Sequence, residues 1–430
     1  MHVLKNDYAG FYKPAFFTLI IDKGSILTNG NKVKEEFKSV LFHEYIHFLQ
    51  DIFTTFGLRN ISYLVQQYSI INNEILKSDL GYFTVPYVAS NNVLLSNKRL
   101  FNIYWGTDDL YRSDDDFEVS SIERQANTLE FVNPNVFFIN VNIIYREDPF
   151  EPDSFYLGAI HFMENMASLL ERRLFFTTDH PSFPYKVIET ILKHLFIGGD
   201  FNDVNLIRFM ENALNTYQPA EYLMAFYEYC KTQELTFNAN SIEEFNKKYR
   251  VEWNNVKSDL NRFFYTTLAL ARNGFNVLFN HEALEKLKEW SNIILTNVVK
   301  IKRSGFSFTQ LLVTGGNFEE VDKSLNYLLR KLGTPILSDK SDKVFMQAPK
   351  PGLEYYMTYL LGLEAVLNVL YGDTQCSCIR YCKSPQWSED ITNDLCYVSP
   401  WERVNKQPLC LFAQLWIIWG FSKKKVHVSG

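Results

Sequence analysis

The chain has 430 residues, 47% of them hydrophobic and 21% charged, a composition that excludes a disordered protein and predicts more than one average domain, or one domain with a large helical extension. A formal net charge of -6, with only short, mixed basic stretches such as "KEEFK" and "VVKIKRS", excludes nucleic acid as the main partner. No secretory signal pattern opens the sequence, and the longest apolar run, Leu409 to Phe421, is 13 residues, so no transmembrane segment is expected and a cytoplasmic location is.

In chain order, "PAFFTLIID" (Pro14 to Asp22) reads as a strand that ends in the turn-forming "DKGS". "TNGN" then supplies a turn and an N-cap. From Val33 the apolar positions Phe37, Val40, Leu41, Ile46, Phe48 and Ile52 recur near helical spacing. Gly57 offers the stop, which predicts a helix of about six turns. The acidic stretch Thr107 to Glu118 predicts a solvent-facing excursion, Asn135 to Glu147 a strand, and Tyr156 to Phe176 a helix. Beyond about residue 235 the pattern changes to amphipathic helices, and the nearly all-apolar Gly352 to Gly372 predicts a buried one. The expected class is α+β. A first domain over 1–235 carries the few strands and an insertion near 60–134, and a second over 236–430 is mainly α-helical.

Inside the first predicted helix, "HEYIH" sets His43 and His47 one turn apart on one face, able to hold one Zn²⁺, with Glu44 beside them. The alternative is a pair of partly buried histidines on a core helix. On the helix Tyr156 to Phe176, Leu157, Ile160, Glu164, Ala167, Glu171 and Leu174 share one stripe. Glu164 and Glu171 thus face inward, where an unpaired carboxylate is costly; alternatively they reach solvent or pair with Arg172 and Arg173. Helix rise puts Glu171 about 10 Å beyond Glu164, so only one of the two reaches a single ion. Of the candidates on this helix, Glu164, Glu171 and His161, the choice falls on Glu164, followed by small Ala167 and Ser168, for the later-helix glutamate ligand that the resemblance named below implies. Glu171 is expected to orient a ligand histidine, and His161, about one turn before Glu164, to hydrogen-bond from behind.

The stretch "HEYIHFLQDIFTTFGL" resembles the zincin metallopeptidases, and among them the gluzincins, most closely in its first five residues. The resemblance implies a zincin-like catalytic domain of few strands and active-site helices. It implies a catalytic Zn²⁺ on His43, His47 and a glutamate from a later helix, with Glu44 as general base toward water. It also implies that Asp51 orients a ligand imidazole. The 116 residues between His47 and Glu164 imply a large insertion.

The expected function is an intracellular zinc metallopeptidase acting on a protein or peptide substrate, with narrow specificity or a regulatory protein partner recognised by the helical region. Two alternatives stay open: a non-catalytic helical interaction or scaffold protein with a structural histidine pair, and a zinc hydrolase of a non-peptide amide. Near the carboxy terminus, Cys376, Cys378, Cys382, Cys396 and Cys410 are candidates for a second, structural Zn²⁺ and equally for plain buried thiols.

Overall fold

The computed structural model describes residues 4–6, 10–21, 33–90, 92–108, 110, 112, 115–126, 136–148, 150, 152–176, 180–253, 256–312, 318–339, 344–383 and 391–429. The expected "DKGS" and "TNGN" turns, and part of the acidic excursion, lie outside these residues. The fold is α+β and mainly helical.

Strands β1 (Leu4–Asn6), β2 (Gly10–Lys13) and β3 (Thr18–Ile21) precede helices α1 (Lys38–Phe53) and α2 (Thr55–Lys77). Then come β4 (Tyr82–Val85), α3 (Asn92–Trp105), β5 (Phe117–Ala126), β6 (Phe137–Tyr145), β7 (Pro152–Tyr156) and α4 (Ala159–Phe175). Helices α5 (Val187–Leu195), α6 (Asp203–Leu214), α7 (Pro219–Thr232) and α8 (Ala239–Lys248) come next, then β8 (Val251–Trp253), β9 (Val256–Ser258), α9 (Leu260–Leu278) and α10 (Glu285–Arg303). The remainder is α11 (Phe318–Leu332), β10 (Ile336–Asp339), β11 (Val344–Phe345), α12 (Glu354–Met357), α13 (Tyr359–Leu370), α14 (Ile379–Cys382), α15 (Leu395–Val398), α16 (Leu411–Ile418) and β12 (Lys425–Val428).

Among the described residues the largest sheet has the order β1-β2-β3-β10-β11, antiparallel except where β3 runs parallel to β10 with Leu19 opposite Leu337. Strands β5, β6 and β7 form an antiparallel meander, and β12 pairs parallel with β4. The β3–β10 and β4–β12 pairings join residues on either side of position 235. Among the described residues no helix is long and apolar enough to cross a membrane; Leu409 to Phe421 instead supplies α16, whose Phe412 and Trp416 are buried.

Three predicted elements differ from those that formed, among them the buried helix expected over Gly352 to Gly372, which is two, α12 and α13. Pro14–Phe17 is a turn rather than the start of a strand, with Ala15 and Phe17 at φ of 63° and 52°. A left-handed conformation costs a non-glycine residue about 1–2 kcal/mol, and the Ala15 N–H is anchored there by Asp51 Oδ2 at 2.7 Å.

The first helix ends at Phe53, before the expected stop. Thr54 adopts an extended conformation, and its hydroxyl accepts from Gly57 N at 3.1 Å, so it caps a second helix that starts inside the range expected for the first. Gly57 is not a stop but lies in the first turn of α2. A Cβ on it would sit 2.3 Å from Asp51 Cα and 2.5 Å from Asp51 O. Glycine is therefore the residue that lets α2 start so close to the end of α1.

Gly57→Ala should accordingly lower the unfolding free energy by at least about 2 kcal/mol, because the clash is with backbone that cannot rotate away. Chemical denaturation of the two proteins measures it, and equal stability would show that the helix junction yields.

Candidate metal centre

Helix α1 is buried without interruption from Phe42 to Phe53, and α4 from Ala159 to Glu171. The two pack together, aided by fully buried Ala167 and Ser168 on α4. This places His43, Glu44, His47, Glu164 and Glu171 in one water-poor interface, each at most 1% exposed.

His43 Nε2 lies 3.1 Å and His47 Nε2 3.4 Å from the same oxygen, Glu164 Oε2. The other ring nitrogen of His43 meets Glu171 Oε2 at 2.9 Å. His180 Nε2 reaches that oxygen too, at 2.7 Å. Two groups able to hold a metal ion therefore share His43: one with His47 and Glu164, the other with Glu171 and His180. The structure brings together Glu164 and Glu171, which the sequence offered as rivals, on opposite nitrogens of one imidazole.

The charges fit this arrangement. Burial disfavours a charged His43, but the hydrogen bonds to Glu164 and Glu171 outweigh it and hold its pKa well above the usual histidine value. Burial likewise works against an ionised Glu164, and the two histidines overcome it, bringing its pKa down to about 2. Glu171 also falls to about 2, burial being overcome by His180 and His43. Glu44 is the exception. Burial, only partly countered by His47 and His43, raises it to about 7, and its Oε2 has no hydrogen-bond partner.

Asp51 and His161 take other places. The carboxylate of Asp51 accepts from Tyr12 Oη at 3.0 Å and from Ala15 N at 2.7 Å, not from an imidazole. The partner of His47 Nδ1 is Gln50 Oε1 at 2.7 Å, and Gln50 in turn donates to Met163 O at 3.0 Å. Asp51 has been drawn to the strained turn before β3, one helical turn beyond the ligand pair. The ring of His161 caps its own helix, accepting from Gly158 N at 3.1 Å, and packs against Phe155 and Phe183. Burial lowers its pKa to about 4, so it is a neutral cap, not a member of the site.

Gln50, His180, Tyr12 and Tyr185 were not foreseen. Tyr12 lies 6.5 Å from His47 in a stacked arrangement, and Tyr185 stacks on His180 at 4.5 Å and meets His43 edge-on at 5.9 Å. Gln50 was discoverable, being a polar residue three positions after His47 on an apolar helix. Nothing local marks His180, which enters from beyond the end of α4.

The five carboxy-terminal cysteines are all buried. Among the described residues, however, no three of their sulfurs approach within 4.8 Å of one another. Cys378 Sγ is directed to Leu361 O at 3.2 Å and Cys396 Sγ to Asn393 Oδ1 at 3.8 Å, and burial pushes the Cys382 and Cys410 thiols up. The expected second zinc thus has no assembled donor set. Compared with known protein families, curated proteins and solved structures, the chain matches none.

Burial raises the Asp51 carboxyl to about 7, against the opposing hydrogen bonds from Ala15 and Tyr12. A carboxyl raised on folding adds stability at low pH, below its unfolded value of about 3.9, and loses it as pH climbs through the folded value. Between pH 5 and pH 8 this group should therefore cost roughly 2–3 kcal/mol. Asp51→Asn removes the titration, so its stability relative to wild type should improve over that interval. Parallel pH dependence in the two proteins, measured by denaturant melts, contradicts the assignment.

Proposed function

We propose that the protein is a zinc-dependent hydrolase of peptide bonds, with the metal on His43, His47 and Glu164 and with Glu44 as general base. The convergence of two imidazole nitrogens on one Glu164 oxygen carries this reading. Ligand atoms around a tetrahedral zinc with bonds of about 2.0–2.1 Å lie about 3.3–3.4 Å apart. The spacings of 3.1 and 3.4 Å to Glu164 are near that value. Those to Glu171, 2.9 and 2.7 Å, depart further from it. Glu171 then fixes the tautomer and tilt of His43 from behind, His180 fixes Glu171, and Gln50 does for His47 what Asp51 was expected to do.

Bound at the first trio, zinc would polarise a carbonyl and acidify water. The protein's own contribution is Glu44, adjacent to His43, with one oxygen unpaired. A carboxylate placed there would take a proton from water and return it to the leaving amine, as peptide hydrolysis requires. The four central residues are at most 1% exposed, so a peptide reaches them only after the covering elements move, which agrees with narrow specificity or control by a partner protein.

That same burial favours a second reading, in which the histidines and carboxylates brace α1 against α4 without catalysis. Metal analysis separates the two. Wild type should carry one tightly held zinc, Glu164→Ala should lose it, and Glu171→Ala should weaken it by about 10–100-fold. Protein that stays metal-free after zinc supplementation leaves the bracing role.

Glu44→Gln should keep both zinc and fold while hydrolysis falls by several orders of magnitude. New amino termini in a digested proteome report the activity. Full turnover in the metal-replete variant would remove Glu44 as the base, whereas cleavage of simple amides without any peptide cleavage would transfer the site to a non-peptide substrate.

A further inference from the structure

Away from the histidines, Arg59 on α2 is clamped between two rings. Its guanidinium carbon lies 4.6 Å from the Tyr104 centroid and 4.3 Å from that of Tyr217. Nη1 donates to Tyr217 O at a long 3.5 Å. Among the described residues no carboxylate pairs with this cation. Burial pulls its pKa below the usual arginine value, with Tyr104, Tyr217 and Tyr63 opposing.

Arg59 is half-buried, so its guanidinium, which cannot shed its proton at accessible pH, is partly withdrawn from water, held by the two tyrosine faces and a hydrogen bond to the Tyr104 side chain, with one edge left for an anion. Arg59 also lines a cavity of about 360 Å³ built from α2, α3 and α9. One wall is flat: Tyr63 and Phe101 stack at 5.1 Å with their planes 8° apart. At the rim Asn97 donates to Gln66 Oε1 at 2.9 Å, giving an uncharged polar edge. A preformed planar cation, a parallel aromatic wall and a volume suited to a small molecule occur together.

We propose that this cavity binds a small aromatic acid, its carboxylate or phosphate paired with Arg59 and its ring against the Tyr63–Phe101 wall. Both oxyanions offer two oxygens to a bidentate guanidinium, which a neutral ligand does not. The acid supplies the missing countercharge, and the ring takes the planar apolar surface beside it. This inference is independent of the metal reading, since it uses none of the same residues.

Benzoate and phenyl phosphate are suitable probes, titrated calorimetrically into the full chain, with benzyl alcohol as the uncharged control. Wild type should bind at least one of the acids saturably and the alcohol not at all, and the preferred acid identifies the oxyanion. Arg59→Gln should weaken that binding by at least about tenfold. Because Arg59 also holds Tyr104 and Tyr217 together, a second variant guards against simple misfolding. Leu270 lines the cavity and is 40% exposed, so Leu270→Trp should fill the space and abolish binding with the melting temperature retained. No saturable binding of either acid to wild type, equal binding of the alcohol, or binding that survives both substitutions would overturn the proposal.

Discussion

Everything near the α1–α4 interface depends on one constraint: charge has been taken out of water there and must be compensated on the spot. Three carboxylates, Glu44, Glu164 and Glu171, share the space with His43, His47 and His180, and none of the six is more than 9% exposed. Removing an ion from water costs several kcal/mol even after relaxation, and is tolerated only with well-placed partners. The two acids that have such partners ionise at about 2, and the one that lacks them is raised to about 7. The presence or absence of a histidine partner thus separates the ionised acids on α4 from Glu44 on α1. The same requirement fixes the register of α1 against α4, since a slip of one turn would strand a buried charge.

Period and local chemistry made part of this arrangement legible in advance. The 3.6-residue repeat located α4 to within a few residues at each end, and the inward stripe brought Glu164 and Glu171 forward because acids there needed an explanation. The strand at Asn135 to Glu147 emerged as β6 for a similarly local reason, its β-branched and aromatic content. The break after Phe53 was hidden, because its cause is a three-residue capping contact from Thr54 together with the closeness of Gly57 to Asp51, a distance that exists only once both helices are folded. His180 was hidden for a related reason: its hydrogen bond to Glu171 comes from beyond the end of α4 and leaves no period in the sequence, whereas Gln50, three positions after His47 on the same helix, could have been read. The cysteines left a metal site and plain buried thiols equally open in the sequence, and in the structure no three of their sulfurs come within 4.8 Å of one another.

Asp51 illustrates how a misplaced role can still be informative. Its carboxylate secures a turn with two left-handed residues, and that turn delivers Tyr12 to the face of His47. The main sheet and the histidine helix are therefore joined both at Asp51, one helical turn from the site, and where Tyr12 meets His47. A substitution at Asp51 is felt in the sheet before it is felt at the histidines.

The parallel pairing of β3 with β10 joins positions 318 residues apart, and β4 waits still longer for β12, with Tyr82 opposite Lys425. Contacts of such long sequence separation carry a high loop-closure cost and form late. The residues of the α1–α4 interface are all made by position 180, while the second edge of β3 and strand β4 await β10 and β12, which are made far later. Between those two moments the protein exposes extended backbone able to pair with other chains, the condition that promotes aggregation. Its vulnerable period is thus set by the direction of translation, and slow elongation through the helical half would lengthen it.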